Sequence, residues 1–101
     1  MIIMRTDEEW IGLYESLHKN DMMWFALASM ISAENFYLLD DILDKEKKIR
    51  VYEQNIRYLT QIATLLPKSN IDVKERKKMV KYAKRGVKIL QKEYNELIEK
   101  Q

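Results

Sequence analysis

Residues 73–97 read VKERKKMVKYAKRGVKILQKEYNEL, and their spacing decides the fold. Val73, Arg76, Val80, Ala83, Val87, Leu90, Tyr94 and Leu97 recur in alternating steps of three and four, which lines them along one side of an α-helix. The same pattern stands immediately upstream, where Ile49, Tyr52, Ile56, Leu59, Ala63 and Leu66 mark residues 46–66 as a second helix with one apolar seam. Pro67 removes a backbone donor and ends that helix, Lys68-Ser69-Asn70 forms the loop, and Asp72 with Glu75 supplies a capping pair for the next start. Two amphipathic helices joined by so short a loop lie side by side and antiparallel.

Further upstream, Thr6-Asp7-Glu8-Glu9 matches a capping box ahead of Trp10, Leu13, Tyr14 and Leu17, so a helix is expected over about residues 7–19. Asn20-Asp21 is a polar break, with Asp21 placed to cap the following segment. Residues 22–43 are apolar on nearly every side, the signature of a central, buried helix. Asp44 to Lys48 interrupts that run without Gly or Pro. It reads as a turn with Asp44 as N-cap, the alternative being one continuous helix from 22 to 66. The expected fold is all-α. It is an antiparallel bundle of about four helices (three if residues 22–66 are one long helix) in a single domain over 1–101.

Composition agrees. Two glycines and one proline in 101 residues are too few for a turn-rich β fold. There is no cysteine and one histidine, His18, so neither a disulfide nor an ordinary zinc or di-iron site can be assembled, and no cofactor or metal is expected. His18 falls at the end of the first helix, where the helix dipole favours it as a cap. The N-terminus has no signal-peptide pattern, and the longest apolar run, Met22 to Ala28, is too short for a bilayer, so the expected setting is the cytoplasm with no membrane partner. No glycine-rich phosphate loop and no Ser/His/Asp set is present, so no catalytic residue, enzymatic activity or small-molecule substrate is expected.

The net charge of +2 hides a division. Among residues 1–46 only Arg5, Lys19 and Lys45 are basic against ten acids, and the excess of base lies downstream. Much of it forms a stripe on the last helix: Lys74, Lys77, Lys78, Lys81, Lys84, Arg85, Lys88 and Lys92 fall on the side opposite the apolar seam. The stripe extends about 27 Å at 1.5 Å per residue, enough to follow several phosphates of a nucleic acid. Five like-charged i,i+4 pairs lie within it (Lys74/Lys78, Lys77/Lys81, Lys81/Arg85, Lys84/Lys88, Lys88/Lys92), and together they destabilise the helix by ~1–2.5 kcal/mol. The plainer reading is a solvated face, or one neutralised by the acidic N-terminal half. Tyr82 beside the stripe is a candidate for base stacking.

A second apolar seam runs beside the first. Val51, Tyr58 and Leu65 are seven apart on one helix, and Tyr82 and Ile89 on the next, with Met79 and Gly86 alongside. Such a seam is either covered inside the bundle or left for a partner. Mid-helix Gly86 points to close approach of another helix, and Arg76, in a core-type position, is expected to extend its head to water. Glu34 and Asn35 interrupt the apolar run, and Glu34 reads as a structural carboxylate bonded to a Tyr, Arg or Lys, not as a catalytic group, while Met22, Met23 and Met30 read as gap-filling core. The functional expectation is a non-enzymatic protein that acts by protein–protein contact or self-association as a homodimer through the second seam. The alternative is nucleic-acid binding through the basic face of the last helix.

Overall fold

The computed structural model describes residues 5–32 and 44–99, and among them every regular element is helical. Helix α1 spans Asp7–Lys19, α2 Met23–Ile31, α3 Lys45–Leu65 and α4 Val73–Glu99, with a 3₁₀ turn over Leu66–Lys68 between α3 and α4. The architecture is the all-α bundle that the seams imply.

Local chemistry sets most boundaries. Thr6 is extended and its hydroxyl accepts from the Glu9 N–H at 3.2 Å, opening α1, while the Glu9 carboxylate turns to the Thr6 hydroxyl at 3.3 Å. α1 closes in a Schellman turn: Met22 N–H donates to the Leu17 carbonyl and Asp21 N–H to that of His18. Asp21 holds the left-handed position of that turn, with φ of 56°, so it terminates α1 instead of capping α2 as expected. The residue before α2 is Met22, whose side chain makes no capping hydrogen bond. Asp44 is extended and accepts from Lys47 N–H at 3.0 Å, which starts α3 as read.

α2 is where the sequence reading fails. The apolar run continues past residue 32, yet Ser32 takes ψ of 128° and ends α2 at Ile31, which also rules out one helix over 22–66. Nor is α2 buried all round. Met23 and Leu27 enter the core, but Phe25 is 69% exposed and Met22 and Trp24 are also exposed. A bundle of this size has too few neighbours to wrap a helix on every side, so an all-apolar helix at its edge keeps an apolar outer face. Of the three methionines expected to fill core gaps, Met23 is buried, Met30 packs at the core margin and Met22 is exposed. Glu34 and Asn35 lie outside the described residues.

The central helix is α4. It runs antiparallel to α3: Leu59 lies beside Gly86, while Tyr52, seven residues earlier, donates through its hydroxyl to Glu93 (3.1 Å), seven residues later, and at that level the Tyr94 hydroxyl donates to Glu53 (3.0 Å). The latter bond holds the Tyr94 phenol above its ordinary pKa, with the Glu53 charge adding to it. On its other side α4 meets α2: Trp24 donates to Glu75 at 3.4 Å and stacks edge-on against Tyr82, and farther along Ile31 lies over Gly86. A Cβ placed at Gly86 would stand 2.6 Å from Ile31 Cγ1 and 3.2 Å from Leu59 Cδ1, so the glycine is what lets α2 and α3 close on α4 together. Leu59, Leu66, Met79, Leu90, Met23 and Leu27 are fully buried between these helices.

Candidate functional site

All eight cations of the α4 stripe are exposed, and among the described residues none forms an ion pair. They occupy an arc of about 120° at 100° per residue, on the side of α4 turned away from α3 and α2. Neutralisation by the acidic N-terminal half is therefore not realised through contact among the described residues. The α1 carboxylate that reaches this end of the fold, Glu15, accepts instead from the Asn70 N–H at 3.0 Å, fixing the loop ahead of α4. With no counter-charge on the stripe among the described residues, like-charge repulsion along it works against α4.

The stripe does not stand alone. Two grooves lie end to end along its edge. The first, about 540 Å³, is lined by Pro67, Val73, Arg76, Lys77, Val80, Lys81 and Lys84. The second, about 520 Å³, is lined by Val87, Lys88, Gln91, Lys92, Asn95, Glu96 and Glu99. Val73 is 51% exposed although the spacing assigns it to the core: as the first residue of α4 it lies beyond the cover of the α3 seam. Val80 and Val87 are half-buried, with one side in the core and the other in the grooves. These valines were missed as surface because all three fit the core seam. The signal that finds them is the ladder Val73, Lys77, Val80, Lys84, Val87, Gln91, which steps four and three along the helix edge.

Arg76 corrects the expectation of a head reaching water. Its Nη1 donates to the carbonyls of Pro67 (2.6 Å) and Ser69 (3.1 Å), where the turn leaves acceptors unsatisfied, and its buried Nε has no hydrogen-bond partner among the described residues. The guanidinium thus fixes the turn whose Pro67 lines the first groove. At the same end, the Asp72 carboxylate accepts from Lys74 N–H at 3.2 Å, while Glu75 is spent on Trp24 instead of completing a capping box.

The second seam does not form one open strip. Leu65 is in the core, Tyr58 is half-buried with the Trp10 ring 5.9 Å away, and Tyr82 is half-buried under Trp24 at 5.6 Å. Short as it is, α1 covers its part of the seam, and Arg5 closes over the outer face of Trp10. Val51 stays half-buried, and Ile89 alone of the five is exposed. Tyr82, the candidate for base stacking, is already engaged with the Trp24 ring in a T-shaped pair. His18 sits half-buried in the last turn of α1, beside a small cleft with Asp21, Met23, Trp24 and Glu75.

Among the described residues no three or more His, Asp or Glu side chains converge on a point able to hold a metal ion, and no helix is long and apolar enough to cross a membrane. An apolar cleft between α1, α2 and α3, about 180 Å³, is lined by Trp10, Met23, Met30 and Tyr58 among others. Tyr14 borders it, its phenol pushed up to about 12 by burial and then by the charge of Asp7, so it stays neutral at ordinary pH. Comparison with known proteins adds nothing to this geometry: no family model matches the chain, and no curated protein or solved structure matches it significantly.

Proposed function

We propose that the protein is a non-enzymatic binding protein whose working surface is the outer face of α4, where it takes a negatively charged protein partner. The observation that carries this reading is the row of eight exposed cations without counter-ions among the described residues, bordered by two grooves into which Val73, Val80 and Val87 open. A face kept only for solubility gains nothing from same-sign crowding, which destabilises α4, whereas a binding face recovers that energy when the partner docks. Self-association through Val51, Tyr58, Leu65, Tyr82 and Ile89 is less well supported, because three of the five are taken up inside the fold.

Nucleic-acid binding is the second reading, favoured by the length of the stripe, about 27 Å. A salt series separates working face from solvated face. The expected result is binding of polyglutamate or heparin that weakens linearly in the logarithm of salt, and substitution of Lys77, Lys81, Lys84 and Lys88 by Gln should abolish it while raising the melting temperature. Binding unchanged in that variant would overturn the assignment to α4.

A further inference from the structure

The α4 face carries a pattern that a simple polyanion does not use. Along its groove edge, Val73, Lys77, Val80, Lys84, Val87 and Gln91 alternate apolar and polar residues in four-three steps, the 3.5-residue period with which one helix meets another. Val73 is exposed by half, and Val80 and Val87 present their free sides to the two grooves. A phosphate backbone or a featureless acidic chain would satisfy the lysines and leave these valines in water. A helix laid along the edge would cover them.

Resting on the reading of α4 as the working surface, we infer that the partner element is an acidic amphipathic helix. It docks along the ladder with an apolar residue over each of Val73, Val80 and Val87 and a carboxylate against each of Lys77 and Lys84. Charge complementarity selects an acidic helix over a neutral one, and the valines select a helix over a nucleic acid. The contact length, Val73 to Gln91, is about 27 Å, or about 18 residues of partner helix. Lys81, Lys88 and Lys92, farther out on the same face, then form the rim that steers the approach.

The test uses the full chain and a synthetic helix-forming peptide of about 18 residues. The peptide carries Leu and Glu in alternating seam positions. The comparison ligands are the same residues scrambled, polyglutamate and a DNA duplex, all at low salt. The patterned peptide should bind about tenfold or more tighter than the scrambled one. Val73→Gln, at an exposed site that leaves folding intact, should remove a measurable part of that advantage. Lys77→Glu with Lys84→Glu should abolish binding, and a peptide with Lys in place of the seam Glu should restore it. Patterned, scrambled and polymeric acids binding alike would overturn the helix proposal while leaving α4 as a polyanion surface. The duplex binding most tightly would overturn it in favour of nucleic acid. Self-association of the chain that the patterned peptide does not compete away would overturn it in favour of a second copy. No binding of any ligand would remove both the helix proposal and the reading beneath it.

Discussion

Gly86 and Gly12 offer the same substitution with opposite expected signs. Both sit inside helices, and replacing glycine by alanine in a helix interior gains about 1 kcal/mol from backbone entropy and propensity alone. At Gly12 nothing lies within 4 Å of the added methyl, so Gly12→Ala should stabilise the protein by nearly that amount, about 1 kcal/mol. At Gly86 the methyl would press on Ile31 Cγ1 at 2.6 Å and Leu59 Cδ1 at 3.2 Å. Overpacking of this kind costs about 1–3 kcal/mol, which outweighs the gain, so Gly86→Ala should destabilise by up to about 2 kcal/mol. Ile31 is the last residue of α2, and shortening it should relieve the clash. In an Ile31→Ala background, which removes both Cδ1 and Cγ1, Gly86→Ala should become neutral or stabilising, with a coupling of about 0.5–3 kcal/mol between the two sites. Denaturant unfolding with an unchanged m value measures all four variants. If Gly86→Ala stabilises as much as Gly12→Ala, or if its effect is the same with Ala at 31, then α2 does not approach α4 at this glycine and the reasoning fails.

Other expectations follow from individual contacts. Asp21→Gly should raise stability by about 1 kcal/mol in thermal or denaturant unfolding, because the left-handed φ of 56° that ends α1 carries no penalty for glycine. Arg76→Ala should lower stability by about 1.5–3 kcal/mol, since the carbonyls of Pro67 and Ser69 lose a charged donor, and Arg76→Lys should recover only part of it. Tyr14 ionises at about 12 in the folded protein against 10 when free, so its contribution to stability is complete below pH 10 and is lost as pH rises from 10 to 12. The ultraviolet phenolate signal should contain a component titrating at about 12, and Tyr14→Phe should remove it and flatten the alkaline limb of the stability profile.

What the sequence made legible is what is decided within a turn or two of chain. Thr6 and Asp44 announce helix starts because an N-cap acts on a donor three residues away, and Pro67 announces a stop for an equally local reason. The exposure of the α4 stripe was likewise legible, because opposite sides of one helix follow from its period. What was not legible depends on partners distant in the chain. That α2 stops at Ser32, that Trp10 covers Tyr58 and that Trp24 covers Tyr82 are tertiary outcomes with no local signature. Arg76 was misread for the same reason, since its carbonyl acceptors come from a turn whose shape is fixed by Leu66–Lys68 and Ser69. The valine ladder was hidden in plain view: a residue at the margin of a seam belongs to the core and to the surface at once.

The central claim is that the outer face of α4 is where the protein meets its partner. Amide chemical-shift mapping of the full chain against an acidic ligand, polyglutamate first and the patterned helix next, tests it residue by residue. The account predicts perturbations concentrated from Val73 to Lys92 on the stripe and groove side, fading with added salt. Phe25 and the α1 surface should stay unmoved. Perturbations centred on α1 or on the outer face of α2, or none at low salt, would contradict it.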